Sequence, residues 1–157
     1  MRETGLLHTA ADTRSFGARL AVLLRPGDLI VLTGSLGAGK TTLVQGIAAG
    51  LGVRGQVRSP TFVIARVHPP AGDGPALVHA DAYRLGGVAE LDDLDLDTSL
   101  AESVTVVEWG EGLAEGLSED RLQIQLQRSA DDDARRVSIM AHGRRWADVP
   151  IPATQLS

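Results

Sequence analysis

One glycine-rich stretch, residues 33–42 with the sequence TGSLGAGKTT, constrains the possible folds more than any other part of the chain. It satisfies the spacing G-x-x-x-x-G-K-[ST], in which glycines let a loop turn successive backbone N–H groups inward around an anion. The apolar run 28–33 precedes this motif, and a helical pattern follows it. Such a helix points the positive end of its dipole at the same anion. The stretch therefore predicts a strand, a phosphate-binding P-loop and a helix, in that order.

Lys40 stands out within this motif, because all the other basic residues counted among the 15 are arginines. A compact ammonium fits inside a phosphate loop, where the broad guanidinium group of arginine does not replace it. We therefore expect Lys40 to contact the β- and γ-phosphates and the Thr41 hydroxyl to ligate Mg²⁺. The predicted nucleotide-binding residues of the motif are Gly34, Ser35, Leu36, Gly37, Ala38, Gly39, Lys40, Thr41 and Thr42.

The sequence favours ATP over GTP as the nucleotide. GTPases of the Ras type read guanine through an N-K-x-D segment, and this chain contains no asparagine and no second lysine. A further carboxylate is expected to hold or order the Mg²⁺. Asp81 and Glu108 are both candidates, because each ends an apolar run and the carboxyl ends of buried parallel strands form the ligand-binding edge of such sheets.

Four further residues carry weaker patterns. Ser59 and Thr61, in the segment SPTF, offer hydroxyls that can sense a γ-phosphate or order the attacking water, although S-P-T is also a common turn. Trp109 is either a core residue or a wall of the nucleotide site. His79 has no cysteine and no second histidine at ligand spacing, so no zinc site is predicted there.

Composition and charge narrow the function classes. The chain has 157 residues, no cysteine and a net charge of −5, from 15 basic and 20 acidic residues. This balance disfavours autonomous binding to DNA or RNA. The pairs Arg135–Arg136 and Arg144–Arg145 are interpreted as solvated surface. No apolar run approaches the roughly 18 residues of a membrane span, so we expect a cytoplasmic protein without a membrane partner.

Hydrophobic periodicity predicts the remaining elements. A helix is expected over residues 12–24, with Asp12 as its N-cap. Strands are expected within 57–68 and at 76–81, 103–109, 121–128 and 136–142, with hairpins joining the first two and the last two, and a short helix is expected within 91–102. The predicted class is α/β, a three-layer P-loop NTPase-type fold with a mostly parallel central sheet and antiparallel hairpin additions. We predict one domain over residues 1–147 and a flexible tail over 148–157.

Four motifs together resemble one known family, the small bacterial P-loop ATPases of tRNA threonylcarbamoyladenosine biosynthesis. They are G-x-L-G-A-G-K-T-T at 34–42, SPTF at 59–62, HADAYR at 79–84 and VEW at 107–109. Their order and spacing agree with the family, and the resemblance covers nearly the whole chain. The family usually has Asp or Glu where this chain has Ser35, a change that leaves the backbone of the loop intact.

The resemblance implies an activity and partners. The chain is expected to bind and slowly hydrolyse ATP to ADP with Mg²⁺, in support of threonylcarbamoylation of adenosine 37 in tRNAs that read ANN codons. The implied partners are the threonylcarbamoyl transferase subunit and its paralogous companion subunit. The ATPase does not transfer the group itself, and it meets tRNA only through that complex.

The resemblance also implies roles for individual residues. The implied catalytic residues are Lys40, Asp81, Glu108 and Thr61. The residues implied at the metal are Thr41, Glu108 and Asp81, and those implied in the nucleotide-sensing switch are Ser59 and Thr61. Trp109 is implied to lie at the nucleotide site. Residues around Thr9–Thr13 are expected to line the adenine side.

Two other functions fit the same motif. A small-molecule kinase on a P-loop fold needs an acceptor pocket and a lid, typically with several basic residues, and the acidic stretch 90–102 does not resemble such a lid. A non-enzymatic adaptor would bind the nucleotide without releasing phosphate.

Overall fold

A seven-stranded mixed sheet organises the structure. The computed structural model describes residues 2–34, 39–53, 65–72, 74–81, 102–108, 120–128, 134–147 and 149. The strands are β1 (Arg2–Leu7), β2 (Leu29–Gly34), β3 (Ala65–His68), β4 (Ala76–Asp81), β5 (Ser103–Glu108), β6 (Arg121–Arg128) and β7 (Arg135–His142). Their order across the sheet is β1-β7-β6-β2-β5-β4-β3. The described helices are α1 (Ala10–Ala21), α2 (Lys40–Leu51) and a 3₁₀ helix at Arg144–Trp146.

The centre of the sheet is parallel, and hairpins extend both sides. Strand β2 pairs in parallel with β5 and β6, and β5 pairs in parallel with β4. The pairs β3–β4 and β6–β7 are antiparallel. All six residues of β5 are buried, as expected for a central strand covered on both faces. The predicted α/β class, the parallel centre and both hairpins are therefore confirmed.

The edge strand β1 has no counterpart in the sequence prediction. It pairs antiparallel with β7, and its last residue, Leu7, is fully buried. The segment RETGLL mixes polar and apolar residues without the strict alternation that marks β6. Without that alternation the segment does not indicate a strand.

Helix α1 begins earlier than predicted, because Thr9 rather than Asp12 is its N-cap. The Thr9 hydroxyl accepts from the Asp12 backbone N–H at 3.1 Å, and the Asp12 carboxylate accepts from the Thr9 backbone N–H at 3.2 Å. This reciprocal pair is a capping box. The prediction of Asp12 as the N-cap is wrong, since Asp12 caps the helix from its third position. The side chains of Phe16 and Leu20 lie on the buried face of α1.

Helices α1 and α2 pack closely because glycines lie at their contact. A Cβ on Gly17 would lie 2.6 Å from the Leu43 carbonyl oxygen. A Cβ on Gly46 would collide with the Arg14 carbonyl oxygen and lie 2.9 Å from the Arg14 Cα. The backbones therefore approach to a distance that a side chain on either glycine would prevent.

The main core lies between these two helices and one face of the sheet. Alternate strand residues supply one side of it, and the apolar faces of α1 and α2 supply the other. Its fully buried members include Phe16, Leu20, Ile30, Leu32, Leu43, Val44, Ile47, Val104, Val106, Leu122, Leu126, Val137 and Trp146.

Arg145 ties the C-terminal 3₁₀ helix to the start of β2. Its Nε and Nη2 donate to the two oxygens of Asp28, each at 3.0 Å, and Nη2 also donates to the Leu23 carbonyl oxygen at 2.6 Å. The guanidinium carbon lies 4.1 Å from the centroid of the Trp146 ring, in cation–π geometry. The interpretation of Arg144–Arg145 as solvated surface is therefore wrong for Arg145, whose side chain is 14% exposed.

Several sequence predictions lie outside the described residues. These are the first part of the strand within 57–68, most of the short helix within 91–102 and, apart from Val149, the tail over 148–157. In the described part of the chain, no helix has the length and apolarity needed to cross a membrane.

We expect Gly46→Ala to lower the free energy of unfolding by about 1–3 kcal/mol, because the added methyl group overpacks the contact between α1 and α2. Urea unfolding followed by circular dichroism measures the change. Gly72→Ala is the control, because a Cβ there meets open space, and we expect it to stay within about 0.5 kcal/mol of wild type. Equal stability of both variants would contradict the packing argument.

We expect Arg145→Ala to destabilise the protein by about 3–5 kcal/mol, because it leaves the buried Asp28 carboxylate without its cation. Arg144→Ala removes an exposed neighbour and should have little effect. Thermal and urea unfolding of the two variants measure the difference. Similar losses in both would show that the Asp28–Arg145 pair contributes nothing specific.

Candidate functional site

The predicted phosphate motif connects the end of β2 to the start of α2. Gly39 is the N-cap of α2 and has φ +100°, a left-handed conformation that residues with a side chain rarely adopt. The Lys40 ammonium donates to the Gly34 carbonyl oxygen at 2.9 Å, and the residue is only 8% exposed. Its side chain therefore reaches from the first residue of α2 back to the last residue of β2. Thr41 and Thr42 follow in the first turn and are half-buried.

The carboxyl ends of three parallel strands, β2, β5 and β4, lie at one edge of the sheet. Glu108 ends β5, and its register partners are Leu32 in β2 and Asp81 in β4. Because β2, β5 and β4 run in the same direction, Glu108 and the backbone of Asp81 lie at the sheet edge from which the loop leaves β2. This is the edge at which open α/β sheets bind their ligands.

Glu108 is held by His79, the residue two places before the end of β4. The distance from His79 Nε2 to Glu108 Oε2 is 2.6 Å, and the two side chains are 0% and 6% exposed. An ionised carboxylate only accepts hydrogen bonds, so the tautomer that matches an ionised Glu108 carries its proton on Nε2. The His79 Nδ1 atom is buried, and it finds no hydrogen-bond partner among the described residues.

A cavity of about 270 Å³ opens beside the start of α2. The N-terminus of α1 forms one wall, and Gly39, Thr42 and Arg135 form the other. The Arg135 Nε lies 4.0 Å from the position that a Cβ on Gly39 would take. The lining residues are His8, Thr9, Ala10, Thr13, Gly39, Thr42 and Arg135. Three of these residues, Thr9, Ala10 and Thr13, belong to the segment Thr9–Thr13 that the family resemblance assigns to the adenine side.

Other predicted site residues lie outside the described part of the chain. They are Ser35, Leu36, Gly37, Ala38, Ser59, Thr61 and Trp109, together with the side chain of Asp81. Their predicted roles stay predictions.

Comparison with known proteins decides the family. The sequence matches the family model "Threonylcarbamoyl adenosine biosynthesis protein TsaE" over residues 7–137. The chain belongs to the TsaE family. The resemblance stated from the four motifs is therefore confirmed.

Relatives in several bacteria agree with the TsaE assignment. A Streptomyces coelicolor protein is 61% identical over 142 residues, which cover 88% of this chain and 96% of the relative. A Mycobacterium tuberculosis protein is 50% identical over 139 residues, covering 84% and 83% of the two chains. A Bacillus subtilis protein is 39% identical over 137 residues, covering 86% and 83%. Each of these relatives carries the name "tRNA threonylcarbamoyladenosine biosynthesis protein TsaE".

The fold also resembles a solved structure. The crystal structure of Bacillus subtilis YdiB superposes with a TM-score of 0.73 at 32% sequence identity. The match covers 93% of this chain and 89% of that one. The arrangement of strands and helices described above is therefore shared with a protein of known structure.

Sequence patterns assign no individual role to three residues, His79, Arg135 and His8, that the structure places beside Glu108 or in the lining of the cavity. His79 opens the HADAYR motif and predicts no zinc site, and its spacing from Asp81 predicts that the two share one face of a strand. Arg135 was interpreted as solvated surface, which is wrong, because it is half-buried and lines the cavity. His8 directly precedes the segment Thr9–Thr13 that the resemblance assigns to the adenine side, but no pattern of its own indicates a site.

We expect Arg135→Gln to weaken ADP binding by about tenfold, because a ligand whose phosphates sit in the loop extends into the cavity that Arg135 lines. Isothermal titration calorimetry measures the dissociation constant. Arg136→Gln is the matched control, because the Arg136 side chain is exposed. Equal affinities for the two variants would exclude Arg135 from the binding site.

Proposed function

We propose that this chain is a Mg²⁺-dependent subunit that binds ATP, hydrolyses it slowly and is required for threonylcarbamoylation of adenosine 37 in tRNAs reading ANN codons. Its fold is the three-layer P-loop NTPase type. It acts on a complex of the threonylcarbamoyl transferase subunit and its paralogous companion subunit, and it does not transfer the group itself. One observation carries the proposal: in a chain of the TsaE family, Lys40 opens helix α2 and its ammonium returns to the end of β2.

The charges at the start of α2 support nucleotide binding. The Lys40 ammonium lies beside the end of β2 and at the N-terminus of α2, and both the ammonium and the helix N-terminus favour an anion. The adjacent cavity of about 270 Å³ continues from Gly39 towards the N-terminus of α1. A nucleoside attached to phosphates in the loop fits that direction. Lys40 then stabilises the negative charge that develops during hydrolysis.

The oxygen donors at the sheet edge suit Mg²⁺. This hard cation prefers carboxylate and hydroxyl ligands and usually keeps several waters. Thr41, in the first turn of α2, and Glu108, at the end of β5, would hold it, with Asp81 as the neighbouring carboxylate at the end of β4. The bound ion supplies neutralising charge to the phosphates. Asp81 and Thr61 are the residues proposed to order the attacking water.

The charge of the chain supports an indirect relation to tRNA. A net charge of −5 gives no electrostatic basis for tight autonomous binding to a polyanion. A subunit that acts on the transferase pair needs a protein surface and a nucleotide site, but no basic tRNA-binding face.

Co-purification with the tagged transferase pair tests the assembly, with ATP, ADP or no nucleotide. We expect wild-type retention to depend on the nucleotide, and we expect Lys40→Ala to lose that dependence because its ATP affinity falls by at least about tenfold. Arg136→Gln, which changes an exposed arginine, is the control. If wild type is not retained under any nucleotide condition, the role in tRNA modification is wrong.

A single-turnover assay with γ-labelled ATP and the transferase pair tests the chemistry. Release of inorganic phosphate supports the ATPase. Transfer of the label to a small-molecule acceptor would identify a kinase instead. Retention of intact ATP throughout would identify a nucleotide-dependent adaptor.

A further inference from the structure

We propose that His79 is a positioning residue that sets the orientation of the Glu108 carboxylate. The inference rests on the proposed function, because it concerns a residue assigned there to the metal. His79 itself contacts neither phosphate nor metal in this proposal. It acts through its hydrogen bond to Glu108.

The contact has the properties of a strong orienting bond. The His79 Nε2 to Glu108 Oε2 distance of 2.6 Å is slightly shorter than the roughly 2.7–2.9 Å of charge-assisted N–H···O hydrogen bonds. Both side chains are shielded from water, with exposures of 0% and 6%. In such surroundings a hydrogen bond is electrostatically stronger than in water, so the carboxylate loses much of its rotational freedom.

The strand register makes this contact diagonal. In the parallel pair β4–β5, His79 lies opposite Val106, while Glu108 lies opposite Asp81. The imidazole therefore reaches along the sheet towards the carboxyl ends of the strands to meet Glu108. One oxygen of the carboxylate is anchored on the β4 side, which restricts how the other oxygen can point.

A purely structural role explains the pair poorly. Burying a carboxylate and an imidazole costs free energy, and a well-packed apolar pair of similar size is often as stable or more stable. His79 adds a further cost, because its buried Nδ1 lacks a partner among the described residues. An unsatisfied buried polar atom costs about 1–3 kcal/mol. The pair therefore lowers the free energy of unfolding relative to an apolar pair. It lies at the ligand-binding edge of the sheet, where an oriented carboxylate can serve binding.

Matched amide variants test the positioning role. His79→Gln places an amide N–H near the position of Nε2, whereas His79→Asn stops short of it. The probe is a non-hydrolysable ATP analogue, titrated calorimetrically with Mg²⁺ and with EDTA. The measured quantity is the Mg²⁺-dependent gain in affinity, which is the ratio of the two dissociation constants.

We expect His79→Gln to keep most of the Mg²⁺-dependent gain in affinity. In His79→Asn we expect that gain to be about tenfold smaller than in wild type. The affinity measured in EDTA should be unchanged in both variants. Glu108→Gln alone should lose the gain, and adding His79→Asn to it should cost nothing further, because the two residues act through one bond. This non-additivity separates positioning from a general effect on folding.

Three results would overturn the inference. A wild-type gain in His79→Asn would show that Glu108 needs no anchor. Parallel losses in Mg²⁺ and in EDTA would show that His79 only supports the fold. Additive losses in the double variant would show that His79 does not act through Glu108.

One further measurement and two outcomes for wild type complete the test. If the variants do not fold, ¹⁵N NMR of the wild-type His79 imidazole replaces them. A protonated, hydrogen-bonded Nε2 whose chemical shift changes when Mg²⁺ and the analogue are added supports the positioning role. An Nε2 chemical shift that does not change contradicts it. Failure of wild type to bind the analogue at all would overturn the proposed function and this inference together. Normal wild-type binding with unaffected variants would overturn the inference alone.

Discussion

The parallel pairing of β2 with β5, and of β5 with β4, is the constraint on which the site depends. Because the three strands run in one direction, Gly34, Glu108 and the backbone of Asp81 reach the same edge of the sheet. A shift of β5 by one residue would turn Glu108 to the opposite face. The register is stabilised by buried Val, Ile and Leu side chains between the sheet and the two helices, so the position of the site is set by core packing.

The two helices then shape the space beside that edge. The capping box at Thr9 and Asp12 fixes where α1 begins, and the close glycine contacts bring α1 against α2. As a result the N-terminus of α1 lies across a cavity from Gly39 at the start of α2. The antiparallel addition of β7 brings Arg135 to the same cavity. Elements from the start and the end of the described chain therefore contribute to one pocket.

Two buried pairs lie at opposite ends of the central parallel strands, one near their amino ends and one near their carboxyl ends. Asp28 and Arg145 join the C-terminal 3₁₀ helix to the residue before β2, with hydrogen bonds to both carboxylate oxygens. His79 and Glu108 lie near the carboxyl ends of β4 and β5, with a single short bond. The first pair is well satisfied and far along the strands from the loop, as expected of a structural contact. The second leaves Nδ1 without a partner among the described residues, as expected where function sets the choice of residues.

Local patterns in the sequence were sufficient to determine the phosphate motif, the family resemblance, and the strands at 76–81 and 121–128, because each is written in contiguous residues. They failed at the edge strand β1 and at the N-cap of α1, where polar residues obscure the periodicity. Only the tertiary structure paired His79 with Glu108, 29 residues apart, and Asp28 with Arg145, 117 residues apart. It also places Arg135, which the sequence indicates as solvated surface, in the lining of the cavity. Such contacts depend on strand order and register, which are set by the packing of the whole core and which no single segment encodes.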